Sequence, residues 1–276
     1  MRLVIVAGPH SQPIAVLELL PVPAFDDNYL WLAADGSGNA ICVDPGDAAP
    51  VRAALRRTGW QLRAILLTHH HPDHIGGAQE LAEEWQAPVF APHEARIPVQ
   101  ATRVAEGQAV TLDRPGETFS VMELPGHTLS HIAYSTPGLL FCGDTLFSVG
   151  CGRLFEGTPE QMLASLDRIA TLPPDTTVCC GHEYTLTNCA FALSVEPRNA
   201  ALRARTAEVR ELRANGEPSL PTTIGSERAC NPFLRVDAPE VVAWAQHTHG
   251  VERENRVARF AALRRAKDDF KVPAAW

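Results

Sequence analysis

The chain has 276 residues, of which 45% are hydrophobic, and its 24 basic and 32 acidic residues give a formal net charge of −8. This length predicts one sizeable core with a smaller appendage, and the acidic balance argues against broad binding to nucleic acids or anionic membranes. No segment approaches the roughly 20 apolar residues of a membrane span. The apolar run near the start is too short for a secretory signal.

The cysteines indicate the redox compartment. They are odd in number, form no CxxC pair and lie mostly in apolar runs, at positions 42, 142, 151, 179, 180, 189 and 230. This pattern predicts reduced, buried thiols in a cytosol-like compartment. We therefore expect a cytoplasmic protein, and we expect it to be a monomer.

Short apolar or alternating segments between residue 15 and about 182 predict strands. They read AVLELLPV, YLWLAA, NAICVD, RAILLT, PVFA, FSVMEL, HIAYST, GLLFCGD and TTVCCGH. Helical patterns intervene at AAPVRAALRRTG, HIGGAQELAEEWQ and TPEQMLASLDRIATL. The last has Thr158 as N-cap, Pro159 at its first position and Gln161 completing a capping box. Helices between some strands and not others predict a mixed sheet arrangement.

After about residue 185, helix patterns replace strand patterns. They read TNCAFALSV, RNAALRARTAEVRELRANG, DAPEVVAWAQHTHG with Asp237 as its cap, and RENRVARFAALRRAKDDF. The segment GEPSLPTTIG at 216–225 is predicted to be a connecting loop. We predict a first domain over residues 15–183 and an all-helical domain over residues 184–276. The role of residues 1–14 stays open.

The segment ILLTHHHPDHIGG concentrates metal-ligand residue types where a strand turns into a helix. His69 and His71, two apart on an extended turn, can face one point, and Asp73 and His74 can face a second point nearby. Imidazole and carboxylate ligands without cysteine suit a catalytic zinc-type ion. Because one strand, turn and helix cannot fill two coordination shells, we expect more ligands downstream.

Three such residues follow predicted strands, each beside a glycine: His127 in ELPGHT, Asp144 in LLFCGDT and His182 in TVCCGHEYT. Strand ends converge on one rim of a sheet, and five histidines with two aspartates suit two ions bridged by a carboxylate and a water. His70 is predicted to point away from the ligands. The remaining histidines are assigned structural or surface roles; they are His10, His93, His131, His247 and His249.

With THHHPDH matching the pattern THxHxDH, and GHT, GDT and GHEYT in order after it, the chain resembles the metallo-β-lactamase superfamily. PAFDDNYLW, GCGRLFEGTPEQM, NPFLR and LRRAKDDFK make it similar to hydroxyacylglutathione hydrolases, the glyoxalase II family, over nearly everything after about residue 19. The resemblance implies an α+β fold, a four-layer αββα sandwich followed by a small C-terminal all-helical domain. The helical domain would complete the substrate site.

The resemblance also implies roles for individual residues. One ion would be bound by His69, His71 and His127. The other would be bound by Asp73, His74 and His182, with Asp144 and a hydroxide bridging the two. Both ions would be divalent, zinc first, with iron or manganese as alternatives. Catalytic roles fall to Asp73, Asp144 and Tyr184. Glutathione contacts fall to Gly152, Arg153, Tyr184, Arg264 and Lys267, whereas Phe155 lacks the hydroxyl that some relatives carry.

The implied reaction is hydrolysis of the thioester of S-D-lactoylglutathione, and of other S-2-hydroxyacylglutathiones, by the metal-bridging hydroxide. It yields glutathione and D-lactate, the second step of methylglyoxal detoxification. A thiol with a pKa of about 8.5 leaves readily as thiolate, so a dedicated general acid is not needed.

Glutathione carries two carboxylates, which need cations to bind them. Arg264 and Lys267 are three residues apart and therefore share one helix face.

Several alternatives stay open. Another hydrolase on the same scaffold, such as a lactonase, a β-lactamase, a nuclease or a general thioesterase, would use the same ligands. Asp144 argues against lactamases with cysteine at that ligand position, and the acidic charge argues against an RNA nuclease. The full ligand set and the helical tail argue against a persulfide dioxygenase. A non-catalytic metal or redox scaffold is the alternative from another class.

Overall fold

A computed structural model of the protein describes residues 3–4, 17–273 and 276. The chain splits into two compact units, the first within residues 1–123 and 130–143, the second within residues 124–129 and 144–276. The strands of the first unit are β1 (Leu3–Val4), β2 (Glu18–Ala24), β3 (Asn28–Ala34), β4 (Asn39–Val43), β5 (Gln61–Leu66), β6 (Val89–Pro92), β7 (Thr102–Val104), β8 (Ala109–Leu112), β9 (Glu117–Glu123), β10 (Ile132–Thr136) and β11 (Leu139–Gly143). Its helices are α1 (Ala48–Thr58), α2 (Pro72–Ile75) and α3 (Ala78–Trp85).

Seven strands of the first unit form one sheet in the order β1 to β7. The first three pairings are antiparallel and the last three are parallel. Strands β8 to β11 pair antiparallel in sequence order. The predicted mixed arrangement is therefore confirmed. Strands β1, β7 and β8 were not predicted, and apart from Leu3–Val4 the segment 1–16 lies outside the described residues.

Helices α1 and α3 cover the first sheet by packing against β2 and β5. Helix α1 begins at Asp47, whose side chain accepts a hydrogen bond from the Ala49 N–H, and ends at Gly59 in the left-handed region. The predicted helix HIGGAQELAEEWQ is in fact two helices, α2 and α3. A Cβ at Gly77 would lie 2.3 Å from the Ala48 nitrogen, so the chain passes the start of α1 at this break.

The second unit contains the remaining elements. They are β12 (Leu146–Phe147), β13 (Gly150–Cys151), α4 (Pro159–Ala170), β14 (Thr177–Cys180), α5 (Thr185–Val195), α6 (Ala200–Ala214), β15 (Thr222–Thr223), α7 (Ile224–Cys230), α8 (Pro239–His249) and α9 (Arg256–Asp269). The predicted capping box of α4 is present, since Thr158 and Gln161 exchange side-chain and backbone hydrogen bonds. Among the described helices, none combines the length and apolarity that crossing a membrane requires.

Three details of the second unit differ from the sequence predictions. The cap of α8 is Ala238, not Asp237, because the Asp237 carboxylate pairs with Arg256 and Arg259. The predicted loop at 216–225 contains β15, which pairs antiparallel with β14, and it runs into the unpredicted helix α7. Strands β12 and β13 were also missed because they have two residues each.

Candidate functional site

In the first unit, the segment from Thr68 to His74 leaves the end of β5 and enters α2. His69 and His74 are buried, whereas His71 and Asp73 are half-buried. The loop after β4 supports this segment at very close range, because a Cβ at Gly46 would lie 1.8 Å from the Asp73 carbonyl oxygen. Only glycine fits there, so the two loops are held together through backbone contact.

The four residues form two pairs of potential ligand atoms. Nε2 of His69 lies 3.1 Å from Nδ1 of His71, and Nε2 of His74 lies 3.5 Å from Oδ2 of Asp73. Two ligands at about 2.0 to 2.2 Å from a tetrahedral ion are about 3.3 to 3.6 Å apart. Both separations are close to this range, so the donor set fits divalent metal binding.

Asp44, at the end of β4, orients this ligand set and was missed by the sequence reasoning. Its carboxylate accepts hydrogen bonds from Nδ1 of His74 at 3.0 Å and from the Thr68 hydroxyl at 2.6 Å. The hydroxyl of Thr68 in turn lies 3.0 Å from Nδ1 of His69 and accepts from it. Both imidazoles thus present Nε2 to an ion. The available signal was the aspartate of VDPGD, which directly follows a buried strand.

Asn28, at the start of β3, is a second residue that the sequence reasoning missed. Its side-chain amide is buried and donates to Oδ2 of Asp73 at 3.0 Å. A ligand carboxylate held by a neutral donor keeps its charge and its direction. Its signal was the asparagine of PAFDDNYLW, which directly precedes the run YLW.

Two other histidines border the ligands in the first unit. Nδ1 of His70 lies 3.9 Å from Glu94, and among the described residues His70 belongs to none of the histidine and carboxylate clusters able to hold an ion. His131 is fully buried, and its ring stacks on His69 with centroids 4.8 Å apart. Its predicted structural role therefore includes packing against a ligand.

The second unit carries the other three predicted ligands, all buried. Oδ2 of Asp144 lies 3.4 Å from Nε2 of His127 and 3.3 Å from Nε2 of His182. These separations also match two ligands of one ion at about 2.0 to 2.2 Å. One carboxylate oxygen thus lies beside two imidazoles, which is the arrangement that a bridging ligand requires.

The loop from Cys151 to Arg153 lies against these ligands. Nδ1 of His127 donates to the Arg153 carbonyl oxygen at 2.8 Å, which directs Nε2 towards Asp144. A Cβ at Gly152 would lie 1.9 Å from the Asp144 carbonyl oxygen, so only glycine allows the loop to pass. The Gly152 N–H donates to the Thr145 carbonyl. The loop is therefore in contact with the side chain of one predicted ligand, His127, and with the backbone of another, Asp144.

Tyr184 lies at the N-terminus of α5, two residues after His182. Its ring stacks on His182 with centroids 4.7 Å apart and an interplanar angle of 5°. Phe147 packs edge-on against both rings. The phenol ring is thereby fixed against a ligand.

A cluster of cations surrounds Asp268 near the end of α9. Oδ1 of Asp268 accepts from Nε of Arg153 and from Nη2 of Arg264, each at 3.1 Å. Arg264 is buried and also donates to the Cys151 carbonyl at 2.7 Å. Burial, and then the charge of Arg264, lower the pKa of Lys267. The cluster contains three cations, Arg153, Arg264 and Lys267, and the one carboxylate of Asp268, and this excess of positive charge favours an anionic ligand.

Among the described residues, no cysteine belongs to the side-chain clusters that could hold a metal ion. All seven cysteines are buried, as predicted. Burial raises the pKa of Cys151 to about 11 and that of Cys179 well above its usual value. Both thiols stay protonated near neutral pH, which argues against a thiolate nucleophile or a redox pair.

Comparison with known proteins relates these features to two families. The family model for the metallo-beta-lactamase superfamily matches residues 25–182, and the model described as hydroxyacylglutathione hydrolase C-terminus matches residues 183–270. A hydroxyacylglutathione hydrolase of Xanthomonas campestris is 51% identical over 257 residues, covering 93% of this chain and 100% of the relative. A hydroxyacylglutathione hydrolase of Xylella fastidiosa is 51% identical over 259 residues, covering 93% of this chain and 98% of the relative.

Among solved structures, ETHE1 from Myxococcus xanthus is similar with a TM-score of 0.60 and 25% identity, covering 91% of this chain and 99% of that chain. These comparisons confirm the expected α+β fold class, a metallo-beta-lactamase αβ/βα fold followed by a C-terminal helical domain, α5 to α9. The fold and the histidine and aspartate clusters indicate divalent metal binding.

Proposed function

The chain belongs to the hydroxyacylglutathione hydrolase family of the metallo-beta-lactamase superfamily, and from this premise we propose that it hydrolyses the thioester of S-D-lactoylglutathione and related S-2-hydroxyacylglutathiones. The products would be glutathione and a 2-hydroxy acid, D-lactate for the first substrate. The proposal includes a role in the second step of methylglyoxal detoxification.

The observation that carries the proposal is the cation cluster of Arg153, Arg264 and Lys267, which lies beside the loop from Cys151 to Arg153. The Cys151 carbonyl accepts from Arg264, and the Arg153 carbonyl accepts from the ligand His127. A substrate held by its carboxylates at these cations would therefore lie near His127. A chain with net charge −8 requires such a local positive patch to bind the two carboxylates of the tripeptide portion.

We propose two divalent ions, most simply Zn²⁺, with Fe or Mn as alternatives. His69, His71 and His127 would hold one ion and Asp73, His74 and His182 the other, with Asp144 shared. When bound, such ions supply a water nucleophile at neutral pH and polarise the thioester carbonyl. The separations within each unit support this division of the ligands, because three of the four pairs of atoms have the spacing of two ligands on one tetrahedral ion and the pair of His69 and His71 is close to it.

The chain's own residues orient ligands and substrate. The Asp73 and Asp144 carboxylates would align the reacting centre, and the Tyr184 hydroxyl would donate to the substrate from a ring fixed by His182. Glutathione would contact Gly152, Arg153, Tyr184, Arg264 and Lys267. Since Arg264 already donates to Cys151 and Asp268, its charge would act together with that of the more exposed Arg153, whose side chain is 58% exposed.

For the organisation of the protein, we propose a catalytic domain over residues 15–183 and a helical substrate-binding domain over residues 184–276. The two family models meet between residues 182 and 183, which supports this boundary. We further propose that the protein acts as a monomer in the cytoplasm. The burial of all seven cysteines supports a reducing compartment.

A panel of substrates tests the proposal. Steady-state hydrolysis should favour S-D-lactoylglutathione over the matched N-acetylcysteamine thioester and over a homoserine lactone. Arg153→Ala should raise KM for the glutathione thioester and leave KM for the N-acetylcysteamine thioester unchanged. Arg203→Ala, on the exposed face of α6, is the control and should change neither. Equal turnover of both thioesters would favour a general thioesterase, and preference for the lactone would favour a lactonase.

A further inference from the structure

The hairpin of β12 and β13 contains a strained residue. Phe147 pairs with Gly150, so the turn consists of Ser148 and Val149 alone. Val149 has φ +58°, and it is fully buried. Two-residue hairpins normally place glycine or asparagine at such positions, and a β-branched residue there is a genuine outlier. Surrounding contacts must therefore hold this turn in place.

Two fully buried side chains from α7 and its C-terminus supply those contacts. Oε2 of Glu227 accepts from the Val149 N–H at 2.7 Å. Nδ2 of Asn231 donates to the carbonyls of Phe147 and Gly150, at 3.1 and 2.9 Å, and also lies 2.9 Å from Oε2 of Glu227. The turn is thus held at both strands and at its strained residue. We call Glu227 and Asn231 together the turn clamp.

The turn held by this clamp directly precedes the loop from Cys151 to Arg153. Cys151 and Gly152 follow Gly150 directly, and Gly152 passes the Asp144 backbone with no room for a side chain. One residue later, the Arg153 carbonyl accepts from Nδ1 of the ligand His127. A shift of the turn would therefore move the acceptor that orients His127 and, with it, the Arg153 cation.

We propose that Glu227 and Asn231 are positioning residues that fix His127 and Arg153 through the Val149 turn. The consequence for substrate binding rests on the proposed thioesterase function, whereas the consequence for His127 concerns metal binding alone. Neither residue touches substrate or ion in this account. Both act through the main chain of residues 147–153.

The chemistry of the clamp predicts which substitutions it tolerates. Glu227 accepts at Oε2 from Val149 and Asn231, and at Oε1 from the Thr222 hydroxyl at 2.7 Å. A glutamine can keep its oxygen at the Oε2 position and direct its NH₂ group to the Thr222 hydroxyl, which also accepts. Glu227→Gln should therefore preserve the clamp, and Glu227→Ala should release it.

The experiment compares the full-length, metal-loaded variants Glu227→Ala, Glu227→Gln and Glu196→Ala. Glu196 is the matched control, since it is a buried glutamate of the same unit that pairs with Arg235. Zn²⁺ affinity is measured by competition with a chromogenic chelator, and KM and kcat are measured with S-D-lactoylglutathione. Asn231→Ser is the milder second variant. It keeps an acceptor for the Phe233 N–H but loses the donors to Phe147 and Gly150.

We expect Glu227→Ala and Asn231→Ser to weaken the binding of one Zn²⁺ by about tenfold and to raise KM, with Glu227→Gln and Glu196→Ala close to wild type. Wild-type affinity and KM in Asn231→Ser would overturn the proposal. So would an equal loss of affinity in Glu196→Ala, since that would indicate general destabilisation. If the wild-type protein does not hydrolyse the thioester but its Zn²⁺ affinity depends on Glu227, the clamp is supported and the thioesterase function fails.

Discussion

Nδ1 of His127 donates a hydrogen bond of 2.8 Å to the main-chain carbonyl of Arg153. One residue therefore serves two purposes, because the Arg153 carbonyl orients a proposed metal ligand while its guanidinium pairs with Asp268. This arrangement links the geometry of the ligands to the position of the cation that would bind substrate. A shift of the loop's main chain should consequently change metal binding and KM together, whereas loss of the Arg153 side chain alone should change only KM.

The first prediction concerns Asp44. Asp44→Asn should lower metal affinity by about ten- to a hundredfold, because an amide cannot accept from Nδ1 of His74, from the Thr68 hydroxyl and from the Thr68 N–H together. Competition with a chelator measures this affinity. Asp47→Asn, at the nearby cap of α1, is the control and should retain wild-type affinity. An unchanged affinity in Asp44→Asn would contradict the orienting role.

The second prediction concerns Asp144. Asp144→Asn should reduce the metal content of the purified protein from two ions towards one, because the amide carries no charge to share between two ions. Inductively coupled plasma mass spectrometry measures the content per chain. Two tightly bound ions in this variant would contradict the shared carboxylate.

The third prediction concerns the pH dependence of substrate binding. Burial and the charge of Arg264 lower the pKa of Lys267 below its ordinary value of 10.5. As the pH rises through this lowered pKa, Lys267 loses its proton and its attraction for a carboxylate, so KM should begin to rise below pH 10.5. In Lys267→Arg this rise should disappear, because arginine stays charged. A KM profile that is the same in both proteins would contradict the assignment.

The fourth prediction concerns stability. Burial raises the pKa of Glu227 above its ordinary value of 4.5, so the folded state binds the proton more tightly than the unfolded state does. The contribution of Glu227 to the free energy of unfolding is therefore fully present below pH 4.5, and it is lost as the pH rises through the raised pKa. Urea unfolding of wild type and Glu227→Gln should show that the wild type loses stability relative to the variant as the pH rises from 4.5 through the raised pKa of Glu227. A difference independent of pH would contradict the raised pKa.

Local patterns allowed much of the fold to be predicted. The Thr158 capping box and the apolar runs of the longer strands depend on neighbouring residues, and both were confirmed. Asp237 was wrongly predicted to cap α8 because two arginines about 20 residues later compete for its carboxylate. Strands of two or three residues carry too little periodicity to be detected.

The sequence likewise indicated one part of the candidate site and not another. The proposed ligands could be selected from the sequence because each is a histidine or aspartate at a strand end or in the turn and helix that follow a strand, and five of them adjoin a glycine or another proposed ligand. Their hydrogen-bond partners were not predictable. Asn28 lies 45 residues from Asp73, and Glu227 lies 78 residues from Val149. No spacing rule connects residues so far apart, since only the folded chain places them in contact.

The central claim is that two divalent ions on this chain drive hydrolysis of a glutathione thioester. The most direct test removes all metal with a chelator and returns Zn²⁺ stepwise, while following S-D-lactoylglutathione by loss of thioester absorbance. We predict no turnover in the metal-free protein and maximal turnover at two equivalents per chain. Full turnover without metal, or none in protein holding two ions, would contradict the account.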